Sequence, residues 1–179
     1  MAIPSRNFRT ASSHSAFTLI ELVTVMLVMG ILAAVGAPRY FESLSRFRVE
    51  AAAKRIAADL NHVRQEAKAK GSATTLRVKF IPGANRYCML SMPDPDHEAL
   101  QYEVELSKTA YPVDLIAADL VDTNGNVVSN GKVDFDMYGK AWIGSGNPAP
   151  LASGQIVVQC GGQQRTVSID PLTGEATVL

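Results

Sequence analysis

The chain has few of the residues on which most enzymatic and metal chemistry depends. Its 179 residues include only two cysteines, Cys88 and Cys160, and three scattered histidines, His14, His62 and His97. Neither cysteine has a second cysteine or a histidine at the spacing typical of a zinc site. The sequence contains no phosphate loop, dinucleotide fingerprint or nucleophile elbow. We therefore expect a protein that is not an enzyme and needs no cofactor.

An excess of positive charge is also missing from the C-terminal part of the chain. The formal net charge is zero, yet residues 17–70 carry +3 and residues 71–179 carry −5. An acidic region of this kind repels a phosphate backbone. We therefore do not expect nucleic acid as a partner, and 179 residues leave room for one modest soluble domain.

Charge is nearly absent from the segment Phe17–Ala37, whose 21 residues contain a single charged side chain, Glu21. This length is enough to span a bilayer. An isolated carboxylate within a membrane costs about 2.5–3.5 kcal/mol, so Glu21 is expected to have a partner. The alternative is a carboxylate that reaches the membrane surface alone.

The segment before this apolar run is short and basic. Residues 1–16 include Arg6 and Arg9 and end in the small residues Ser15 and Ala16. A secretory signal peptide has its small-residue cleavage site after the apolar run, whereas here the small residues precede it. Cleavage before Phe17 would leave the apolar helix on the mature protein.

The motif FTLIELV after a short basic leader resembles the N-terminal signature of type IV prepilins and type II secretion pseudopilins. The resemblance implies that a prepilin peptidase cuts between Ala16 and Phe17 and methylates the new amine of Phe17. Family members usually have glycine where this chain has Ala16. The resemblance also implies that Glu21 of an incoming subunit pairs with the Phe17 amine of its neighbour, and that other pilins or pseudopilins and an assembly platform protein are partners.

An amphipathic pattern follows Pro38 and ends before Gly71. Its apolar positions recur every three or four residues, which predicts a helix that packs against the soluble domain: Tyr40, Leu44, Phe47, Ala51, Ala52, Ile56, Leu60, Val63 and Ala67. Three acid-to-base pairs at a spacing of four support this helix: Glu42 with Arg46, Glu50 with Lys54, and Glu66 with Lys70. Pro38 is expected to bend or locally melt the helix.

Beyond Gly71 the hydrophobic period changes to two, which predicts an antiparallel β domain. The predicted strands are Thr74–Phe80, Arg86–Met92, Leu100–Leu106, Val113–Ile116, Lys132–Met137, Gln155–Cys160, Gln164–Ile169 and Glu175–Leu179. The segment Gly144–Gly154 is predicted to be a loop. The predicted class is α+β, with a long transmembrane and then amphipathic helix on a C-terminal antiparallel, pilin-like head.

The predicted division is therefore a leader (1–16), a membrane half of the helix (17–38), an amphipathic half (39–70) and a head (71–179). Arg6 and Arg9 favour a cytoplasmic leader and a periplasmic head on a single-pass inner-membrane protein. The architecture is similar to H-type minor pseudopilins and FimT-like minor pilins. This resemblance implies a structural subunit of a type IV pilus or a type II secretion pseudopilus.

The resemblance also offers an alternative function. Some FimT-like minor pilins bind DNA through paired arginines near the C-terminus. In this chain the corresponding end reads Gly174-Glu175-Ala176-Thr177, and only Arg165 lies nearby. An acid in place of a cation argues against DNA binding.

Two local features leave alternatives open. Cys88 and Cys160 either form one disulfide or remain two buried thiols. The run Asp122-Thr-Asn124-Gly-Asn126 resembles the opening of a calcium loop, although position twelve of such a loop falls on Val133. A primed hairpin turn at Asn124-Gly125 is the alternative to calcium binding.

Overall fold

The structure is a computed structural model, and it describes residues 17–71, 76–94, 100–128, 131–144 and 148–179. Within these residues the chain forms one α-helix and nine strands, all paired antiparallel. The elements are α1 (Leu19–Lys70), β1 (Leu76–Ile81), β2 (Arg86–Pro93), β3 (Gln101–Glu105), β4 (Asp114–Asp122), β5 (Lys132–Phe135), β6 (Ala141–Ile143), β7 (Ala149–Cys160), β8 (Gln163–Ile169) and β9 (Ala176–Val178). The expected α+β class is confirmed. The predicted leader with Ala16, the histidines His14 and His97 and the predicted strand start Thr74 lie outside the described residues.

The chain divides into two compact units, one up to Tyr40 and one from Phe41 to Leu179. In the first unit, every described residue is exposed. The helix assignment continues through Pro38, so the backbone does not melt there as one expectation had it. The missing N–H of proline removes a single hydrogen bond, which a long helix tolerates. A bend at Pro38 stays a prediction.

In the second unit, which we call the head, α1 lies on the sheet through one stripe of small and branched side chains. The stripe comprises Val49, Ala52, Ala53, Ile56, Ala57, Leu60, Val63 and Ala67, each at most 7% exposed. The predicted stripe is correct from Ala52 onward but wrong at its start, because Phe47 is 58% exposed. Helical periodicity marks an apolar face, but it does not determine how far the sheet extends beneath that face.

The end of the helix agrees with the sequence. Lys70 is the last helical residue, and Gly71 adopts a positive φ of 52°, a conformation that glycine accepts without a steric penalty. The three predicted ion pairs form on the helix surface, with N–O distances of 3.7 Å for Arg46–Glu42, 3.1 Å for Lys54–Glu50 and 4.0 Å for Lys70–Glu66. Exposed pairs of this kind contribute little to stability, about 0.3–0.5 kcal/mol each.

The nine strands form a curled sheet with the order β3-β2-β1-β5-β6-β7-β8-β9. The long strand β7 joins its two parts, because Ala149 and Pro150 pair with β6 whereas Gly154 to Cys160 pair with β8. Strand β4 lies off this path and pairs with β7. The inner side chains of both parts meet α1 in one core that includes Phe80, Phe135, Leu120 and Ile156.

The prediction of a loop over Gly144–Gly154 was wrong from Ala149 onward, and strand β6 was missed. Residues 145–147 lie outside the described residues. Leu151 and Ser153 pair with Asp122 and Val121 of β4, so backbone partners supplied from elsewhere in the chain make this segment a strand. Its glycine, proline and serine content favours a loop only while no partner is present.

Polar side chains of α1 also bind the sheet directly. The Tyr87 hydroxyl donates a hydrogen bond to Asp59 Oδ2, and Arg165 Nε donates to Glu50 Oε2 at 2.8 Å. Burial raises the pKa of Asp59, although the hydrogen bond from Tyr87 opposes this shift. Burial, with the nearby charge of Asp59, also raises the pKa of Tyr87. These contacts fix α1 to both β2 and β8.

Asn61 binds the edge strand β9 as a neighbouring strand would. Its Nδ2 donates to the Ala176 carbonyl at 2.8 Å, and its Oδ1 accepts from the Ala176 N–H at 3.0 Å. A side-chain amide carries one donor and one acceptor side by side, as a peptide group does. Asn61 therefore satisfies both backbone groups of Ala176 at the edge of the sheet.

We expect Asn61→Ala to lower the free energy of unfolding by about 1–3 kcal/mol, because two partly buried backbone groups lose their partners. Denaturant unfolding of the detergent-solubilised chain, followed through the single tryptophan, measures this loss. Gln65→Ala is the matched control, since it removes an exposed amide from the same helix. Equal effects of the two substitutions would show that the Asn61 contact with Ala176 contributes nothing.

Candidate functional site

The candidate site lies at the first turn of α1, where the predicted intramembrane acid Glu21 is found. Thr18 precedes the helix, and Glu21 is its third residue. Glu21 Oε2 accepts hydrogen bonds from the Thr18 N–H at 3.0 Å and from the Thr18 hydroxyl at 2.8 Å. Thr18 Oγ1 lies 3.3 Å from the Glu21 N–H. This reciprocal arrangement is a capping box, which satisfies backbone donors that have no partner inside the helix.

The capping box occupies only one side of the Glu21 carboxylate. Both hydrogen bonds from Thr18 fall on Oε2, and among the described residues Glu21 forms no ion pair. The helix N-terminus favours a negative charge at this position. The other carboxylate oxygen, Oε1, therefore remains available to a donor from outside the described part of the chain.

The surface around Glu21 is apolar and uncovered. Phe17, Leu19 and Ile20 are 76%, 80% and 66% exposed. Further along, the Thr24 hydroxyl donates to the carbonyls of Ile20 and Glu21 at 3.0 and 2.9 Å, so this polar group is satisfied within the helix. Glu21 is thus the one charged side chain on an otherwise apolar helical surface that ends at Pro38.

This part of α1 is long and apolar enough to cross a membrane. Its most apolar window has a mean hydropathy of 2.4, and no part of that window is buried. Among the described residues, it is the single helix with these properties. A lone exposed apolar helix near the N-terminus is consistent with a single-pass membrane protein.

The two cysteines do not form the disulfide that one reading of the sequence allowed. Both are free thiols, with Cys88 buried on β2 and Cys160 partly buried at the end of β7. Strands β2 and β7 are not neighbours in the sheet. The Cys88 thiol lies 3.8 Å from the Lys79 carbonyl, and burial raises the pKa of the thiol. A protonated, buried thiol of this kind is unreactive.

The suggested calcium loop is a turn whose acid binds its own backbone. Asp122 Oδ1 accepts from the N–H groups of Asn124 and Asn126, each at 2.8 Å, and Oδ2 accepts from Asn126 Nδ2 at 3.0 Å. These hydrogen bonds, with that from the Asn126 side chain foremost, lower the pKa of Asp122. Gly125 has a positive φ of 82° and Asn124 does not, so the predicted primed turn was wrong. Among the described residues, no cluster of three or more potential metal ligands occurs.

Two cavities of about 380 Å³ lie in the head. One is polar and contains Arg55, Tyr102 and the Lys108–Glu105 ion pair, whose Nζ and Oε2 atoms are 2.7 Å apart. The other is apolar and contains Trp142 and Leu172. The Trp142 indole N–H donates to Asp136 Oδ2 at 3.0 Å. In the polar cavity, the Thr109 hydroxyl donates to the Leu106 carbonyl at 2.9 Å.

The alternative of DNA binding depends on cations near the C-terminal strands. Arg165, the cation nearest to that end, is held by Glu50 and is partly buried, so its charge is already paired. The Arg165 hydrogen bond also lowers the pKa of Glu50. Glu175 is exposed beside β9. The Arg165 charge is thus not free to contact a phosphate backbone.

Sequence reasoning missed Thr18, although a signal for it was present. The run Thr18-Leu-Ile-Glu21 has the Ser/Thr-x-x-Glu pattern that marks a helix N-terminus. The charge of Glu21 predicted a partner on another chain. The hydrogen-bond partner within the same chain, Thr18, lies three residues before Glu21 and was not predicted. The candidate site therefore consists of Phe17, Thr18 and Glu21, while Ala16 lies outside the described residues.

Comparisons with models of protein families, with curated proteins and with solved structures gave no match. The fold and site thus define the protein by class alone. It is an α+β protein with one helix able to span a membrane, a capped acid at the start of that helix and a curled antiparallel head.

Proposed function

We propose that this protein is a structural subunit of a type IV filament system, a minor pilin or a type II secretion pseudopilin. One observation carries the proposal. Glu21 is the single charged residue of an uncovered apolar helix, lies four residues after Phe17, and is capped on one oxygen only. A membrane anchor alone gains nothing from such an acid, because the charge makes insertion less favourable.

The proposed maturation generates the partner of this acid. Prepilin peptidase cuts between Ala16 and Phe17 and methylates the amine of Phe17, which remains positively charged. Opposite charges in a medium of low dielectric constant attract strongly, and each offsets the desolvation of the other. The Phe17 amine of a neighbouring subunit then binds the uncapped side of Glu21, while Thr18 holds the carboxylate in position.

Assembly and not catalysis is the proposed activity. The apolar half of α1 holds the subunit in the inner membrane, with the leader cytoplasmic and the head periplasmic. An assembly platform protein extracts it, and other pilins or pseudopilins then cover the same apolar surface. Exposure of the apolar side chains from Phe17 to Val35 supports this order of events.

The division of the molecule supports the same proposal. The head begins at Phe41 and has its own core, which includes the second half of α1. The first half contributes nothing to that core. The apolar half can therefore exchange lipid for protein neighbours without unfolding the head, as a filament subunit requires.

The N-terminus of the protein purified from its native membrane tests this proposal. We expect the mature chain to begin with N-methylated Phe17, and intact-mass measurement shows both changes. Ala16→Trp should block cleavage, because the peptidase site accepts a small residue at this position. Ala11→Trp, the same change within the leader, should be processed normally. A mature chain that keeps residues 1–16 would refute the assignment.

A further inference from the structure

The strand β3 lies at one end of the curled sheet, and β2 is its single strand neighbour among the described residues. At the opposite end, Asn61 of α1 occupies the edge of β9, where it binds both backbone groups of Ala176. A strand at an open edge presents N–H and carbonyl groups that can pair with another extended chain. The two ends of the sheet thus differ, and β3 is the end to which a further strand can be added.

The hydrogen bonds beside β3 show which of its backbone groups point outward. The Leu106 N–H, just after β3, donates to the Asn85 carbonyl, just before β2, at 2.8 Å. Backbone groups alternate in direction along an antiparallel strand, so every second residue from Leu106 back along β3 faces β2. The N–H and carbonyl groups of Gln101, Glu103 and Glu105 therefore point away from β2. We call these outward groups the β3 edge.

The polar cavity lies along the β3 edge. Its walls include four consecutive residues of β3, Tyr102 to Glu105, together with Arg55 of α1 and Lys108. Consecutive side chains of a strand point to opposite faces, so a cavity that touches all four runs beside the strand. Its volume is about 380 Å³. The β3 edge therefore has free space alongside it.

The two faces of β3 differ in chemistry. On one face, the side chains of Glu103 and Glu105 are 47% and 38% exposed. On the other face, Val104 is buried and Tyr102 is half-buried, and both line the cavity with Arg55, whose aliphatic stem can cover an apolar neighbour. Residues directly opposite each other in an antiparallel pair lie on the same face. A strand that matches this edge therefore alternates polar with apolar residues.

The cavity carries an excess of one negative charge. Its lining includes three acids and two cations: Asp94, Glu103, Glu105, Arg55 and Lys108. Just behind them, Arg86 binds Glu103, and Asp59 Oδ2 lies 3.9 Å from Arg55 Nε, which adds one charge of each sign. Complementary charge therefore favours an incoming segment that is basic.

Glu103 has the capacity to bind such a positive charge. Arg86 Nη1 lies 2.7 Å from Glu103 Oε1, and among the described residues no hydrogen bond or ion pair involves Oε2. Glu105 differs, because Lys108 and Ser107 occupy its two oxygens at 2.7 and 3.0 Å. A carboxylate accepts several hydrogen bonds, so Glu103 can receive a further cation without releasing Arg86.

A second copy of this chain matches the edge poorly. Two β3 strands that overlap fully in antiparallel register place Glu103 of one copy directly opposite Glu103 of the other. Like charges directly opposite each other on a sheet destabilise the pair. The acid that favours a basic segment thus disfavours pairing between copies.

We infer that the β3 edge binds an extended, basic segment of a partner protein as an additional antiparallel strand. Backbone hydrogen bonds to Glu103 and Glu105 supply the affinity. Specificity comes from a cation opposite Glu103 and from apolar residues on either side of that cation. This inference concerns the head alone, so it does not depend on the apolar half of α1, and it goes beyond the proposed function.

Binding of a synthetic peptide to the full chain in detergent tests this inference. The probe is a short peptide that alternates lysine with valine, has both ends blocked and carries a fluorophore, and fluorescence anisotropy measures its dissociation constant. Lysines opposite Glu103 and Glu105 exchange backbone hydrogen bonds with the β3 edge. N-methylation of the lysine backbone should therefore weaken binding by about fivefold for each hydrogen bond lost. N-methylation of the valine backbone, which gives the same composition and charge, should leave binding nearly unchanged.

Two substitutions at Glu103 test the same contact from the side of the protein. Glu103→Pro removes an outward N–H that does not pair with β2, a position at which edge strands tolerate proline. Glu103→Gln removes the charge but keeps this N–H. We expect Glu103→Pro to abolish binding, and Glu103→Gln to weaken it by at most about fivefold, as for an exposed ion pair. Thermal unfolding followed through Trp142 emission checks the folding of both variants.

Equal binding of the two N-methylated peptides would overturn the inference. This comparison uses the natural chain, so it decides the question even if Glu103→Pro fails to fold. Absence of binding by the unmethylated peptide would refute the inference as well, and so would equally tight binding of a peptide with glutamate in place of lysine. A concentration-dependent dimer of the natural chain that is lost in Glu103→Pro would assign the edge to a second copy and refute a basic partner.

Discussion

Glu21→Gln is expected to leave membrane insertion intact and to lower incorporation into filaments by about ten- to a hundredfold. This range corresponds to the 1.5–3 kcal/mol typical of a hydrogen bond to a charged group. Glutamine can still accept the hydrogen bond from Thr18, because glutamate and glutamine both serve in a capping box. The substitution therefore removes the charge and keeps the helix cap. Quantifying the variant in sheared filaments and in the membrane fraction gives the two values.

Two further variants separate charge from capping. Thr18→Ser keeps the capping hydroxyl and should assemble normally, whereas Thr18→Ala removes it and should reduce incorporation less than Glu21→Gln does. Glu42→Gln is the control for charge, since it neutralises an exposed acid of the same helix outside the apolar segment. Normal incorporation of Glu21→Gln would refute a pairing role for the carboxylate. A defect in Thr18→Ala as severe as in Glu21→Gln would indicate that the helix cap is what assembly requires.

Ile56→Ala is expected to lower the free energy of unfolding of the head by about 2–5 kcal/mol. Ile56 is fully buried at the centre of the stripe by which α1 contacts the sheet. Removing three carbon atoms there forfeits burial and leaves a cavity that rigid neighbours cannot close. Denaturant unfolding of the solubilised chain, followed through Trp142 emission, measures the change.

The matched control is Ile116→Ala, the same chemical change on β4 at a residue that is 49% exposed. Its expected cost is about 1 kcal/mol or less, as for most exposed sites. A loss below that value for Ile56→Ala would mean that α1 contributes little to the core of the head. We also expect Ile56→Ala to lower the amount of protein in cells, because marginal stability controls degradation.

Local sequence patterns were sufficient for the helix and for most strands. The spacing of three and four residues that predicted Ile56, Leu60, Val63 and Ala67 as one face depends on the pitch of an α-helix alone. The ion pair of Glu50 with Lys54 depends on the same pitch. The change to a period of two after Gly71 likewise marked where helix gives way to sheet. Each of these features is decided by neighbours within a few residues.

Pairing between distant segments was beyond such patterns. Strand β6 has three residues, too few to show a period, and β7 begins in a segment whose composition favours a loop. Strand β4 pairs with β7, and Asn61 binds Ala176, so both contacts join residues far apart in the chain. The same long-range pairing places Cys88 and Cys160 on strands that are not neighbours, where both thiols are free. Phe47 has the same apolar character as Ile56, yet the sheet covers only Ile56.

The sequence by itself determined the apolar segment from Phe17 to Ala37, the single acid within it, the long helix and the α+β class. Composition and periodicity are sufficient for these properties because they follow from local geometry and from the transfer of side chains out of water. The tertiary structure decided the sheet order, the length of the buried stripe, the free thiols and the contact between Phe47 and Tyr111. These four features depend on which distant segments pair through their backbones. The free energy that favours one pairing over another comes from contacts throughout the core.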